Sequence, residues 1–258
     1  MLFDLMLVAA LAAASSPGAV SRFVGIAQAS ENGPVIYRER HYRYRENGHR
    51  RALVLYVCPD GKPFARKIDG GGSGTPQAPD FELNDARNGY REGVRTVDGQ
   101  RQVFVHRVGA EQTMSAALPK ADQPVIDSGF GVFLHRHWAA LMSGKTVDLS
   151  FLVPSRRKFM GFEVSRHQDA AADKKGEVVF RLRLSSWFGF ALPHIDVAYA
   201  ADSRQLRWFR GLSNIRDMHG KNITAFLRYP EALRESDVGA SAVARASSVA
   251  LDGRCSLH

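Results

Sequence analysis

Apolar residues alternate with polar ones along most of the chain between Val35 and Tyr229, the period-two pattern of half-buried β-strands. The stretch Val35 to Glu46 meets Asn47-Gly48, a pair suited to the two positive φ angles of a type I′ turn, and His49 to Cys58 returns as the apolar run RRALVLYVC. Asp60-Gly61 turns the chain again, and residues 70–79, GGGSGTPQAP, have little to bury and are predicted to form a flexible surface loop. Asn88-Gly89 and Asp98-Gly99 then separate FELNDA, YREGVRTV and QRQVFVHRV, which predicts a meander.

After Pro124 the period changes. Phe130, Phe133, Leu134, His137, Trp138 and Leu141 recur at steps of three and four, Asp127 or Ser128 can cap the start, and Gly144 stands where a terminating glycine belongs. One amphipathic helix over residues 128–143 is expected. Alternation resumes at Val147, Leu149, Phe151 and Val153, continues through Phe162 and Val164, Val178 to Leu184, and Ile195 to Tyr199, and ends with RQLRWFRGL and ITAFLRY before Pro230. About ten antiparallel strands result. A flat sheet of that width would expose two edges and a bare apolar face. The fold class predicted is therefore mainly β: a strongly curved sheet, a half-barrel, with the helix on its concave side.

The two ends differ from this body. LFDLMLVAALAAASSPGAV has the apolar run of a signal peptide and is broken by Ser, Pro and Gly before a membrane span is complete. Cleavage fits after Ala14 or after Ala29, where Ala27-Gln28-Ala29 has the small-x-small form, so residues 1–29 are read as a leader for the periplasm or another exported location. Asp4 and the lack of Lys or Arg ahead of the run are atypical, and a buried N-terminal helix is the competing reading. Residues 30–230 then form a single domain, and residues 231–258, rich in Ala, Ser and Arg, a flexible tail.

A formal charge of +9 draws such a protein toward anionic partners, which outside the cytoplasm means a membrane surface or acidic polymers rather than nucleic acid. Tyr37, Tyr42 and Tyr44 interleaved with Arg38, Arg40, Arg43 and Arg45 resemble a nucleic-acid surface, but export argues against that, and a solvated strand face with aromatic cross-strand packing explains the same residues. Cys58 and Cys255 would close a very long loop if they pair in an oxidising compartment; Cys58 is otherwise an unpartnered strand residue.

No nucleophile elbow, phosphate loop or catalytic carboxylate pair stands out, and no cofactor is implied. His135 and His137, two apart on a helix, point about 200° from one another and cannot share a metal ion. His194 and Asp196 share a strand face as a surface pair. Two aromatic groupings are candidate ligand-binding residues as well as candidate core: Phe130, Phe133, Leu134 and Trp138 on the helix, and Trp187, Phe188 and Phe190 in the connection WFGFALPH. Arg66, Arg91 and Arg95, with Lys67, Arg87, Asp85 and Glu92, form a candidate anion-binding cluster that would serve an envelope enzyme or adaptor.

The stretch IDVAYAADSRQLRWFRGLSNIRDMHGKNITAFLRYP resembles the C-terminal strands of envelope proteins with the LolA/LolB-like half-barrel and of DUF3108-like periplasmic proteins, over residues 145–230. That resemblance implies a curved antiparallel sheet holding an apolar or lipid-like ligand on its concave face. It assigns no functional residue.

Overall fold

The computed structural model describes residues 19–185 and 194–257, so Trp187, Phe188 and Phe190 lie outside the described residues. Strands β1 (Ser21–Gln28), β2 (Val35–Glu46), β3 (His49–Val57), β4 (Pro63–Asp69), β5 (Phe81–Asp85), β6 (Tyr90–Val97), β7 (Gln100–His106) and β8 (Met114–Ala117) run as a meander. The short β9 (Pro124–Val125) leads into helices α1 (Gly129–Arg136) and α2 (Trp138–Met142). Then come β10 (Val147–Val153), β11 (Lys158–His167), α3 (Ala170–Asp173), β12 (Glu177–Leu184), β13 (Ile195–Ala200), β14 (Leu206–Arg216), β15 (Asn222–Arg228), β16 (Arg234–Glu235) and α4 (Ala240–Ser248). Among the described residues all sixteen strands belong to one sheet, ordered β8-β7-β6-β5-β4-β3-β2-β1-β15-β14-β13-β12-β11-β10-β9, with β16 also on β1.

This topology forces the sheet to curl. Its two end strands, β8 and β9, are consecutive in sequence: Ala117 and Pro124 are seven residues apart and can span at most about 25 Å. Laid flat, the fifteen strands of the main path would separate those edges by about 67 Å at ~4.8 Å per strand. The edges therefore meet at a seam without a ladder, β8 pairing with β7 and β9, in parallel, with β10. Across the seam Arg107 donates to the carbonyl of Ser155 at 2.9 Å, and Arg157 lies 3.1 Å from the Met114 sulfur.

Sixteen strands replace the ten expected. β8, β9 and β16 contain only two to four residues, too few for a periodic signal. β4 carries little apolar alternation because it turns Lys67 and Asp69 inward. β1 lies within the segment read as a leader, yet pairs along its length with β2 and at its end with β15, burying Phe23 and Ala27. A boundary at residue 29 would remove this strand from between its neighbours.

The hairpin at Asn47-Gly48 forms as expected, with φ of 50° and 77°, and Asp98-Gly99 repeats the geometry at 49° and 75°. The helix divides at His137, whose φ and ψ of −96° and 10° leave the helical range, so the single helix 128–143 is two short ones. The glycine-rich segment 70–79 is folded back rather than loose: Gln77 and Ala78 are buried, and the Gln77 carbonyl accepts from Ile126 while standing where any side chain on residue 129 would project, which requires Gly129. The C-terminal segment is likewise no flexible tail. α4 buries Ala242, Val243 and Ala246 against Tyr42, Leu53, Leu55 and Val57 on the outer face, and Cys58 is disulfide-bonded to Cys255.

Two clusters share the concave side, joined through Leu206 and Phe209, which pack on both. One is built on β1 to β7 around Tyr37, Tyr56, Phe64 and Leu83; the other sets α1 and α2 on β10 to β13.

Candidate functional site

The helical stripe serves packing. Phe133 and Leu134 are buried, and Trp138, 6% exposed, meets Phe180 edge-on at 5.0 Å and Tyr199 at 5.9 Å. Phe130 is half-buried, 6.2 Å from Phe151. His137 lies against Phe133, whereas His135 faces Trp138 and Tyr199. His194 approaches Asp196 at 3.4 Å, but the carboxylate is taken bidentately by Arg181 at 2.6 and 2.8 Å, a partner that sequence spacing did not reveal.

The expected Arg cluster is split by strand alternation. Arg66 lies on the outer face and donates to the carbonyls of Ala246 and Val249 at 2.9 and 2.5 Å, so it caps the end of α4. Arg91 pairs with Glu82 on the surface at 2.6 Å, and Arg95 covers the Phe104 ring at 4.9 Å. The three do not form one anion site. Their neighbours Lys67, Asp85, Arg87 and Glu92 point inward and are buried.

Those inward groups belong to a polar network on the concave side of the sheet. Between Leu212 and Arg216 the register of β14 against β15 shifts, and this bulge carries Ser213, Asn214 and Ile215 to the interior. Ser213 hydrogen-bonds with the Tyr37 hydroxyl at 3.0 Å, and Tyr56 donates to Asn214 at 3.4 Å. Lys67 pairs with Asp127 just ahead of α1. Burial opposes the Lys67 charge, but Asp127, Asp69 and Tyr56 outweigh it and hold its pKa well above the usual value. Burial pushes Asp69 up to about 6, and one of its oxygens has no partner among the described residues. Burial also raises Glu92, which accepts from Tyr90 at 2.5 Å and lies 3.7 Å from Arg216. Arg87 grips Asp85 at 2.6 and 3.0 Å and reaches the carbonyls of Arg216 at 2.8 Å and Cys255 at 3.3 Å. Through Lys67–Asp127, Glu92–Arg216 and the reach of Arg87 to Arg216 and Cys255, the network ties β14, the α1 entry and the C-terminal segment to the meander.

Open space is found at the seam. A groove of about 850 Å³ lies between the β7–β8 edge, the connector to β9 and the start of β11. Leu118 and Phe159 form its floor and also pack on the interior cluster; Pro119 and Pro124 extend the apolar wall, and Arg101 and Lys120 stand at its rim. Arg101 is held by Asp80 at 2.7 Å, which leaves Lys120 as the rim cation without an ion-pair partner among the described residues. None of the apolar floor was singled out from sequence, because Leu118 and Phe159 lie 41 positions apart and become neighbours only when the sheet edges meet.

No protein-family model matches the chain, and no curated protein sequence does. Among solved structures the chain is similar to the crystal structure of a β-barrel-like protein of the domain of unknown function DUF1849 from Brucella abortus, at 9% identity over 85% of this chain and 97% of that one, with a TM-score of 0.35.

Proposed function

We propose that the protein is an exported, non-enzymatic β-barrel-like envelope protein that binds an apolar or lipid-like ligand, and that the ligand enters at the seam groove rather than beneath the helices. The carrying observation is the groove itself: its volume of about 850 Å³ falls within the ~300–1,000 Å³ common for ligand sites, and an apolar floor with Lys120, beside Asp122, in its lining suits an acyl chain ending in a polar, anionic group. The disulfide supports export, since such bonds persist in oxidising compartments. The enzyme reading loses its motivation with the division of the Arg cluster between two faces.

Titration with a fluorescent fatty acid tests the groove. Phe159→Asp places a charge on the floor and Lys120→Glu reverses the rim; each is expected to weaken binding about tenfold or more, equivalent to ~1.4 kcal/mol. Lys120 is exposed, so its replacement leaves packing untouched. Unchanged affinity in both variants, together with a native mass spectrum free of lipid adducts after purification from the host, would sink this reading.

Export also makes a prediction about processing. Because β1 occupies residues 21–28 within the sheet, the mature chain is expected to begin at Ser15, after Ala14, and not at Ser30. N-terminal sequencing of the secreted or periplasmic protein decides it; a start at Ser30 would mean that the sheet forms without β1.

A further inference from the structure

A second constellation on the concave side points to a different ligand. Arg43 continues the inward face of β2 beyond Tyr37, Glu39 and His41. Its guanidinium lies 4.9 Å from the centre of the Phe23 ring, and that of Arg234 lies 5.2 Å from the same ring. His41 stacks on Phe23 at 4.4 Å with only 9° between the planes. In the helix-covered cluster, Arg204 covers Trp138 at 5.1 Å, and His135 stands 5.6 Å from Tyr199. The Arg43 charge is felt at His41 and Arg234 beside it, and at Tyr199 and His135.

Nothing on the described surface neutralises this gathering. None of Arg43, Arg204 and Arg234 takes part in an ion pair among the described residues. The carboxylate of Glu39 is held by His41 at 2.7 Å and Tyr229 at 3.3 Å, and that of Glu231, which also acts on Arg234, is taken by Arg207 at 2.8 Å. Arg234 donates to the Leu206 carbonyl at 2.5 Å, and its Nε is buried without an acceptor. Arg43 is exposed, so its guanidinium is open to a ligand from solvent. Like charges converging over aromatic rings cost free energy unless an anion joins them, and the flat guanidinium fork is matched to phosphate oxygens.

We propose that Arg43 and Arg234, whose guanidinium groups meet over the Phe23 ring, bind a phosphate-class oxyanion between them. The site is separate from the seam groove, and either can fail without the other.

Isothermal titration calorimetry with inorganic pyrophosphate and with short-chain phosphatidic acid tests it on wild type, Arg43→Glu, Arg234→Gln and a control, Arg50→Glu, which makes the same charge change at the exposed tip of the β2–β3 hairpin. Arg43→Glu is expected to weaken binding of whichever ligand is taken by about tenfold or more, and Arg50→Glu by about twofold or less. Arg234→Gln supplies a second, neutral variant, and circular dichroism of each variant reports folding. Tighter binding of pyrophosphate identifies a soluble phosphate compound as the source, and tighter binding of phosphatidic acid a lipid headgroup. Absence of binding by both ligands at millimolar concentration, or equal losses in Arg43→Glu and Arg50→Glu, would overturn the proposal.

Discussion

Replacement of Cys58 and Cys255 together by serine is expected to destabilise the protein strongly. The bond joins positions 197 residues apart, and the loss of chain entropy in the unfolded state for a loop of that size corresponds to about 5 kcal/mol. The bond does not act alone. The Gly253 N–H donates to the Pro63 carbonyl at 2.8 Å, Arg87 reaches Cys255, and Arg66 holds the end of α4, so the disulfide closes a strap over the outer face of β2 to β4. Denaturant unfolding of the wild type with and without reductant, and of the double serine variant, should show a loss of about 2–5 kcal/mol, with proteolysis beginning in residues 240–257. A loss below about 1 kcal/mol would show that the strap holds by packing alone.

Trp138→Ala is expected to cost a comparable amount. The ring is 6% exposed and fills the space between α2, Phe180 and Tyr199, with the Arg204 guanidinium over its face. Removing it leaves a cavity that the sheet cannot close, at about 3–5 kcal/mol. For a domain of this size that lowers Tm by about 6–20 °C, at ~2–4 °C per kcal/mol. Were Trp138 to line a ligand cavity, the apo protein would instead keep its Tm and lose affinity for extracted ligand. Thermal unfolding of both proteins, with and without that ligand, separates the outcomes, and a shift below about 1 kcal/mol in every state would remove Trp138 from both roles.

The contrast between these two positions and the candidate sites shows where sequence patterns carry information. Trp138 was visible as part of an apolar stripe at helical spacing, although the stripe alone could not say that the helix breaks at His137 or which surface it covers. The Lys67–Asp127 pair was invisible, since its members are 60 residues apart and neither is unusual in its own neighbourhood. Arg66, Arg91 and Arg95 looked like a cluster because they are close in sequence, but strand alternation turned them outward and left Lys67 and Glu92 inside. The seam groove and the Arg43 site are further cases of residues gathered by curvature from distant strands.

Alternation, turn dipeptides and one change of period were enough to establish a mainly β chain with an inserted helical segment and a hairpin at Asn47-Gly48, because these features depend on φ, ψ and side-chain direction within a few residues. The number of strands, the place of β1 in the sheet, the strap made by the C-terminal segment and the positions of both candidate sites were decided by the tertiary structure. Each depends on which edges meet when a sheet of sixteen strands curls, and on charges that become stable in the interior only when partners from remote segments arrive beside them.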